Sequence, residues 1–272
     1  MKILAIIGSP RGKGNSYALT RRVEEKMKAL GDVEFEYIFL RDFNLQPCRG
    51  CYLCLSMGED KCPIKDDRPI LEKKMMDADG VVFVSPTYVL NVSGLMKNFM
   101  ERFAYVSHRP RFFKRALAIS TTGGFGQQIT AFILASTAYM WGYSPVYRLG
   151  AVEPPLVDEM LLLEVREKQR KKNDAMAAKA AIRFFQAIQS GMPTPGLKDI
   201  VLFELQRAAF SRFKDGNVDR EYWKSMGWLD WDCHYYYRTK VGILELLIAT
   251  LAAKLFTISR PVPPKDVRQV VI

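Results

Sequence analysis

The chain has 272 residues, of which 49% are hydrophobic and 25% charged, a composition typical of a folded globular protein and not of a disordered one. The most apolar stretch, Val241–Phe256, contains Glu245 and Lys254, so we expect no membrane-spanning helix. The net charge of +11 favours an anionic partner. The basic run Arg166–Lys172 has no interleaved aromatic residue and no recognisable nucleic-acid motif. We therefore expect it to be a solvated helix face and expect no nucleic-acid partner.

Apolar, β-branched runs alternate with segments of helical period, which is the pattern of a parallel sheet with helices on both faces. The first apolar run, Ile3–Ile7, is too short for the core of a signal peptide and is followed at once by Gly8, so we expect a cytoplasmic protein. In chain order the predicted elements are strand Ile3–Ile7, helix Ser16–Leu30, strand Val33–Leu40, strand Val81–Val84, helix Leu95–Phe103, strand Ala116–Ser120, strand Val146–Val152 and a long helix from about Leu156 to Gln189.

The second predicted strand differs from the first in its residue pattern. Its side chains alternate between aromatic or aliphatic residues, such as Phe35 and Tyr37, and the carboxylates Glu34 and Glu36, whereas the first strand is continuously apolar. Alternation indicates an edge strand and a continuous apolar run indicates a central one. We therefore predict an α/β fold with a flavodoxin-like, doubly wound, five-stranded parallel sheet of order 2-1-3-4-5.

A break at Gly191–Gly196 ends the long helix and predicts a domain boundary. Residues 1–190 would form the sheet domain and residues 191–272 a helical, aromatic-rich extension. In this extension Leu244, Leu247, Leu251 and Leu255 form a stripe on an apolar helix. The stripe predicts packing on the sheet domain or on another subunit of a homodimer or homotetramer. Contact with a membrane surface is the less favoured alternative.

The glycine-rich loop Gly8–Ser16 lies between the first predicted strand and helix. A phosphate there would gain the backbone N–H groups and the positive dipole end of the helix, and an arginine would add a charge-assisted hydrogen bond. The loop has neither the ending of a Walker loop nor the dinucleotide fingerprint, so a mononucleotide is the favoured ligand. The alternative is a helix start with no ligand. The candidate phosphate ligands are Ser9, Arg11, Asn15 and Ser16.

Two further loops follow the third and fourth predicted strands. Pro86 fixes one turn, where Thr87 and Tyr88 can meet the polar edge of a planar ring. Glycines in the other loop allow close approach of a planar ligand. Ligands of doubly wound sheets lie at the carboxyl ends of the strands, so the three loops predict one site. The candidate ring-binding residues are Pro86, Thr87, Tyr88, Val89, Thr121, Thr122, Gly123 and Gly124.

The segment Gly8-Ser9-Pro10-Arg11 with Asn15-Ser16 resembles the flavin phosphate loop of NADPH-dependent FMN reductases and iron-sulfur flavoproteins, and Pro86-Thr87-Tyr88 is similar to their ring-binding segments. The resemblance covers about Met1–Ala151. It implies FMN as the cofactor, with its phosphate on the first loop and its isoalloxazine ring on the other two.

Four of the five cysteines fall in one segment, Cys48-x2-Cys51-x2-Cys54-x7-Cys62-Pro63. In a reducing cytosol this density indicates ligation of a metal or cluster more than disulfides. The spacing is similar to ferredoxin-type ligation of a 4Fe-4S cluster, but the last interval is longer. The segment resembles the cysteine motif of iron-sulfur flavoproteins and also the cluster-free cysteine loop of FMN reductases. A cluster and bare thiols therefore both stay open, and zinc is less favoured because no histidine lies nearby.

The resemblance implies an FMN-dependent oxidoreductase that uses NADPH or NADH to reduce a small acceptor such as a quinone or a flavin. The alternative is an electron carrier that exchanges electrons with ferredoxin through a 4Fe-4S cluster; the acidity of ferredoxins would suit a chain of charge +11. No histidine has a nucleophile or carboxylate at informative spacing, and we assign no acid-base catalyst.

Overall fold

The computed structural model describes residues 1–153 and 163–259. One five-stranded sheet has the order β2-β1-β3-β4-β5, and every neighbouring pair is parallel. The predicted fold class and strand order are confirmed, including the edge position of β2. The strands are β1 (Lys2–Ile7), β2 (Glu34–Phe39), β3 (Gly80–Pro86), β4 (Arg115–Thr122) and β5 (Val146–Val152).

Helices follow most strands, and several of them lie where the sequence predicted none. The start predicted for the long helix at Leu156 lies outside the described residues. The helices are α1 (Asn15–Lys28), α2 (Leu53–Ser56), α3 (Arg68–Asp77), α4 (Gly94–Arg102), α5 (Gln127–Met140), α6 (Leu163–Gln189), α7 (Leu197–Phe210), α8 (Val218–Ser225) and α9 (Ile243–Ser259), with 3-10 turns at Leu40–Asp42, Glu59–Lys61 and Ala104–Ser107.

Each face of the sheet is buried under helices. On one face, alternate residues of β1 such as Ala5 pack in a single cluster with Leu19 of α1 and Phe184 of α6. On the other face, Phe83 of β3 lies with its ring centre 5.9 Å from Trp141 and 6.4 Å from Phe99 of α4. Burial of large apolar side chains on both faces stabilises the sheet and leaves its edges for polar loops.

The chain divides into two compact units. The first unit, Met1–Cys48 with Ile64–Met192, contains the sheet. The second unit contains Arg49–Pro63, which holds three of the four clustered cysteines, and the described residues from Pro193 on.

In the second unit, α7 packs against α9, and an aromatic cluster fills its interior. Trp228 in this cluster donates a hydrogen bond from Nε1 to the carbonyl of Tyr236 over 3.1 Å. The side of α9 that carries Ala249 is buried, whereas the predicted leucine stripe is 59–67% exposed. Among the helices of residues 1–153 and 163–259, none is both long enough and apolar enough to cross a membrane.

Candidate functional site

The loop after β1 is tightly folded against its neighbours. The amide of Gly8 donates to the carbonyl of Val84 on β3 over 2.7 Å. A Cβ atom at Gly8 would lie 2.7 Å from the Cβ of Met96, so the loop passes too close to α4 for any larger residue. The amide of Arg11 donates to Ser9 Oγ over 3.3 Å, and Gly12 takes a φ of +67° that favours glycine. These contacts define the shape of the loop.

Hydrogen bonds join this loop to the loops after β3 and β4. The hydroxyls of Ser16 and Thr121 lie 2.6 Å apart, although 105 residues separate them in the chain. The hydroxyls of Thr87 and Ser120 lie 2.9 Å apart, and the amide of Thr87 donates to the carbonyl of Thr121 over 2.8 Å. The three predicted loops are therefore one connected polar surface at the carboxyl edge of the sheet.

A cavity of about 220 Å³ opens on this surface. All the flavin-binding residues predicted from the sequence line it except Val89 and Gly124. The volume is below the roughly 300–1,000 Å³ of pockets that enclose a drug-sized ligand. The cavity can therefore enclose the phosphate end of a mononucleotide while the ring lies against its open side.

Two lining residues, Gly14 and Glu153, were missed in the sequence. Glu153 directly follows β5 at the same edge, so the rule that located the other loops could have found it. Its side chain is buried, and Arg22 of α1 donates to it from Nη1 over 2.9 Å. Gly14 stands at the N-cap of α1 and has no side chain to cap the helix amides that border the cavity.

The loop after β3 carries a strained turn. Tyr88 and Asn91 exchange two backbone hydrogen bonds of 2.9 and 3.0 Å around Val89 and Leu90. These two central residues have φ angles of 51° and 61°, a left-handed conformation that costs about 1–2 kcal/mol for a residue with a Cβ. Val89 is 99% exposed and lies outside the cavity lining.

The clustered cysteines form no disulfide. Cys48 and Cys51 are exposed, and Cys54 and Cys62 are half-buried. Four thiols are the donor set of a 4Fe-4S cluster, yet residues 1–153 and 163–259 contain no group of three or more Cys, His, Asp or Glu placed to hold a metal ion. The donor chemistry fits a cluster, and the arrangement of the thiols does not.

Helix α4 holds both flanks of the cysteine segment within the first unit. On the flank before it, Asn98 accepts from the amide of Cys48 over 3.1 Å and donates to the carbonyl of Leu45 over 3.0 Å. On the flank after it, Asp66 forms a bidentate pair with Arg102 of 3.0 and 2.9 Å, with side chains only 1% and 3% exposed. We call Asn98, Asp66 and Arg102 the clasp.

The second unit contains a cavity of about 330 Å³ lined by Glu204, Arg207 and Trp231 among others. Glu204 is buried, its Oε2 lies 2.7 Å from Arg207, and its Oε1 has no hydrogen-bond partner. Burial raises the pKa of this carboxyl above its ordinary value, and the charge of Arg207 opposes the shift.

Comparison with known proteins bears on this site. The family model described as NADPH-dependent FMN reductase matches residues 1–147. An iron-sulfur flavoprotein of Clostridioides difficile is 30% identical over 213 residues, which cover 74% of this chain and 93% of the relative. An iron-sulfur flavoprotein of Methanocaldococcus jannaschii is 43% identical over 104 residues, 38% of this chain, and the match spans only 51% of that relative.

The solved structures give the same fold. RosB, in a crystal structure with the bound intermediate 8-demethyl-8-formylriboflavin-5'-phosphate, has a TM-score of 0.57 and 15% identity, covering 79% of this chain and 88% of RosB. At this identity the likeness concerns the fold alone.

Proposed function

The chain belongs to the NADPH-dependent FMN reductase family and is an oxidoreductase, and from this premise we propose that it binds FMN at the carboxyl edge of its sheet and reduces a small acceptor, a quinone or a flavin, with NADPH or NADH. The observation that carries the proposal is the cavity in which the loops after β1, β3 and β4 meet. Loops from three strand ends on one cavity are what a mononucleotide site in this fold requires.

The residues of the first loop would hold the phosphate. Arg11 supplies a charge-assisted hydrogen bond, and the hydroxyls of Ser9 and Ser16 together with the amide of Asn15 supply neutral ones. The first-turn amides of α1 and the positive end of its dipole add to these contacts.

The residues of the other loops would orient the ring. Pro86 and Thr87 border the cavity on one side and Thr121–Gly123 on the other, and Tyr88 is 40% exposed at the mouth. When bound, the flavin would supply the chemistry, which is the acceptance of a hydride from a nicotinamide and the transfer of electrons to an acceptor. The two loops would position the ring, and we assign no side chain as an acid or base.

A matched pair of substitutions tests the phosphate site. Arg11→Ala should weaken FMN binding at least about tenfold, because it removes a charge-assisted hydrogen bond. Lys13→Ala, in the same loop but outside the cavity lining, should change it by less than about twofold. Titration of the flavin-free chain, followed by flavin fluorescence, measures both. Equal binding by Arg11→Ala and the parent chain would count against the assignment.

The second candidate is an electron carrier that exchanges electrons with ferredoxin through a 4Fe-4S cluster on Cys48, Cys51, Cys54 and Cys62. The cysteine spacing and the iron-sulfur flavoprotein relatives favour it.

Anaerobic purification separates the two candidates. The reductase predicts rapid bleaching of the flavin by NADPH and no bound iron. About four iron atoms per chain, with reduction by reduced ferredoxin but not by NADPH, would establish the carrier instead.

The exposed leucine stripe on α9 supports a homodimer or homotetramer, since an apolar stripe of this length is costly to leave in water. Light scattering should give the molar mass of an oligomer for the parent chain and a lower molar mass for Leu247→Lys. A monomeric parent chain would refute this part of the proposal.

A further inference from the structure

Glu153 places a negative charge in the wall of a cavity whose other polar groups suit an anion. Its side chain is 9% exposed and lines the cavity together with Arg11 and Ser16. Its amide donates to the carbonyl of Thr122 over 2.8 Å, which fixes the residue beside the loop after β4. Burial of a carboxylate costs several kcal/mol unless the carboxylate is paired, and Arg22 supplies the pairing here.

The surrounding contacts hold this carboxylate in position. Arg22 of α1 reaches both of its oxygens, over 2.9 and 3.5 Å, and lies 3.5 Å from Asp174 of α6. One residue before Glu153, the carbonyl of Val152 accepts from the buried amide of Asn173 over 2.8 Å. Two helices therefore fix the end of β5, and each oxygen of Glu153 keeps a lone pair beyond the one that Arg22 occupies.

The ligand group that faces Glu153 must donate a hydrogen bond. Among the cavity-lining residues in the described part of the chain, Glu153 is the one carboxylate, and an ionised carboxylate only accepts. The phosphate of FMN has no proton to offer near neutral pH and would be repelled. The donors of FMN are its polyol hydroxyls and the ring N3–H.

Position decides between these donors. Glu153 is tied to Thr122, next to Thr121, whose hydroxyl bonds to Ser16 in the first turn of α1. Glu153 thus lies beside the phosphate-binding end of the cavity, where the polyol joins the phosphate. The ring loop instead begins at the end of β3.

We propose that Glu153, held by Arg22, accepts a hydrogen bond from a hydroxyl of the flavin's polyol chain and so makes the site selective for flavins that carry this chain. The inference rests on the proposed FMN site. It gives Glu153, the residue after β5, a binding role in addition to those of the three predicted loops.

Three flavins separate a polyol contact from a general structural effect. Glu153→Gln keeps the volume of the side chain but removes the charge. It should weaken FMN and riboflavin binding by about tenfold each, because a hydrogen bond to a charged acceptor is lost. Lumiflavin, which has the ring without the polyol, should bind the variant and the parent chain equally.

Glu24→Gln is the matched control. Glu24 is a buried carboxylate on α1, paired with Arg21 and Lys28, and it lies outside the cavity lining. This variant should bind all three flavins like the parent chain. If circular dichroism shows that Glu153→Gln is unfolded, Glu153→Asp serves as a second variant. It keeps the charge on a shorter side chain and should lose part of the affinity for FMN and riboflavin.

Each remaining outcome overturns the proposal. Tighter FMN binding with unchanged riboflavin binding would mean that Glu153 only repels the phosphate. An equal loss for lumiflavin would mean a structural role, and unchanged binding of every flavin would mean no role. A parent chain that binds no FMN would refute the proposed function itself, which is a different result.

Discussion

Removal of Arg102 tests whether the clasp stabilises the fold. Arg102→Met takes a bidentate cation away from Asp66, a carboxylate that is 1% exposed, and leaves it to the amides of Gln46 and Arg68. Breaking a buried pair by removing one partner costs about 3–5 kcal/mol, because the remaining charge stays out of water. We expect the free energy of unfolding to fall by about that amount.

The same helix offers a control. Lys97 and Glu101 form an exposed pair on α4, with side chains 51% and 46% accessible, and such pairs contribute about 0.2–1 kcal/mol. Urea unfolding of Arg102→Met and Lys97→Met, followed by circular dichroism, measures the difference. Equal unfolding midpoints for the two variants would refute the reasoning.

Two further predictions concern Gly8 and Glu204. Gly8→Ala places a Cβ 2.7 Å from the Cβ of Met96 and should cost about 1–3 kcal/mol and weaken FMN binding, whereas Gly94→Ala, with nothing within 4 Å, should be nearly neutral in urea unfolding. Glu204→Gln should stabilise the protein at neutral pH, because burial raises the pKa of Glu204 and its ionisation opposes folding as the pH rises through its folded-state pKa. The gain should vanish in acid, where Glu204 is protonated; a gain that grows as the pH falls would contradict it.

The strands could be predicted because each follows a local pattern. The alternation in Glu34–Phe39 revealed the edge, and the continuous apolar residues of Lys2–Ile7 revealed the centre. Helix α5 was not predicted, since apolar residues surround its axis. Ala131 is buried while Phe132 next to it is 57% exposed, and no single amphipathic stripe results.

The candidate site could be predicted where the cavity-lining residues lie in glycine-rich or proline-rich turns. The pairing of Arg22 with Glu153 could not, because 131 residues separate them and neither lies in a recognisable motif. The grouping of Arg49–Pro63 with the residues from Pro193 on has the same cause, since no local pattern encodes such distant packing.

The clasp makes the segment Arg49–Pro63 an insert between two anchored points. Doubling the length of a flexible insert costs only about 0.6 kcal/mol of closure entropy, so the main cost of exchanging this segment would be the loss of its packing within the second unit. Because Asn98 and Arg102 of α4 hold Cys48 and Asp66 on either side of the segment, such exchanges would leave these two flanks in place. One scaffold could in this way carry inserts with different numbers of thiols while α4 keeps the same hold on the flanking residues.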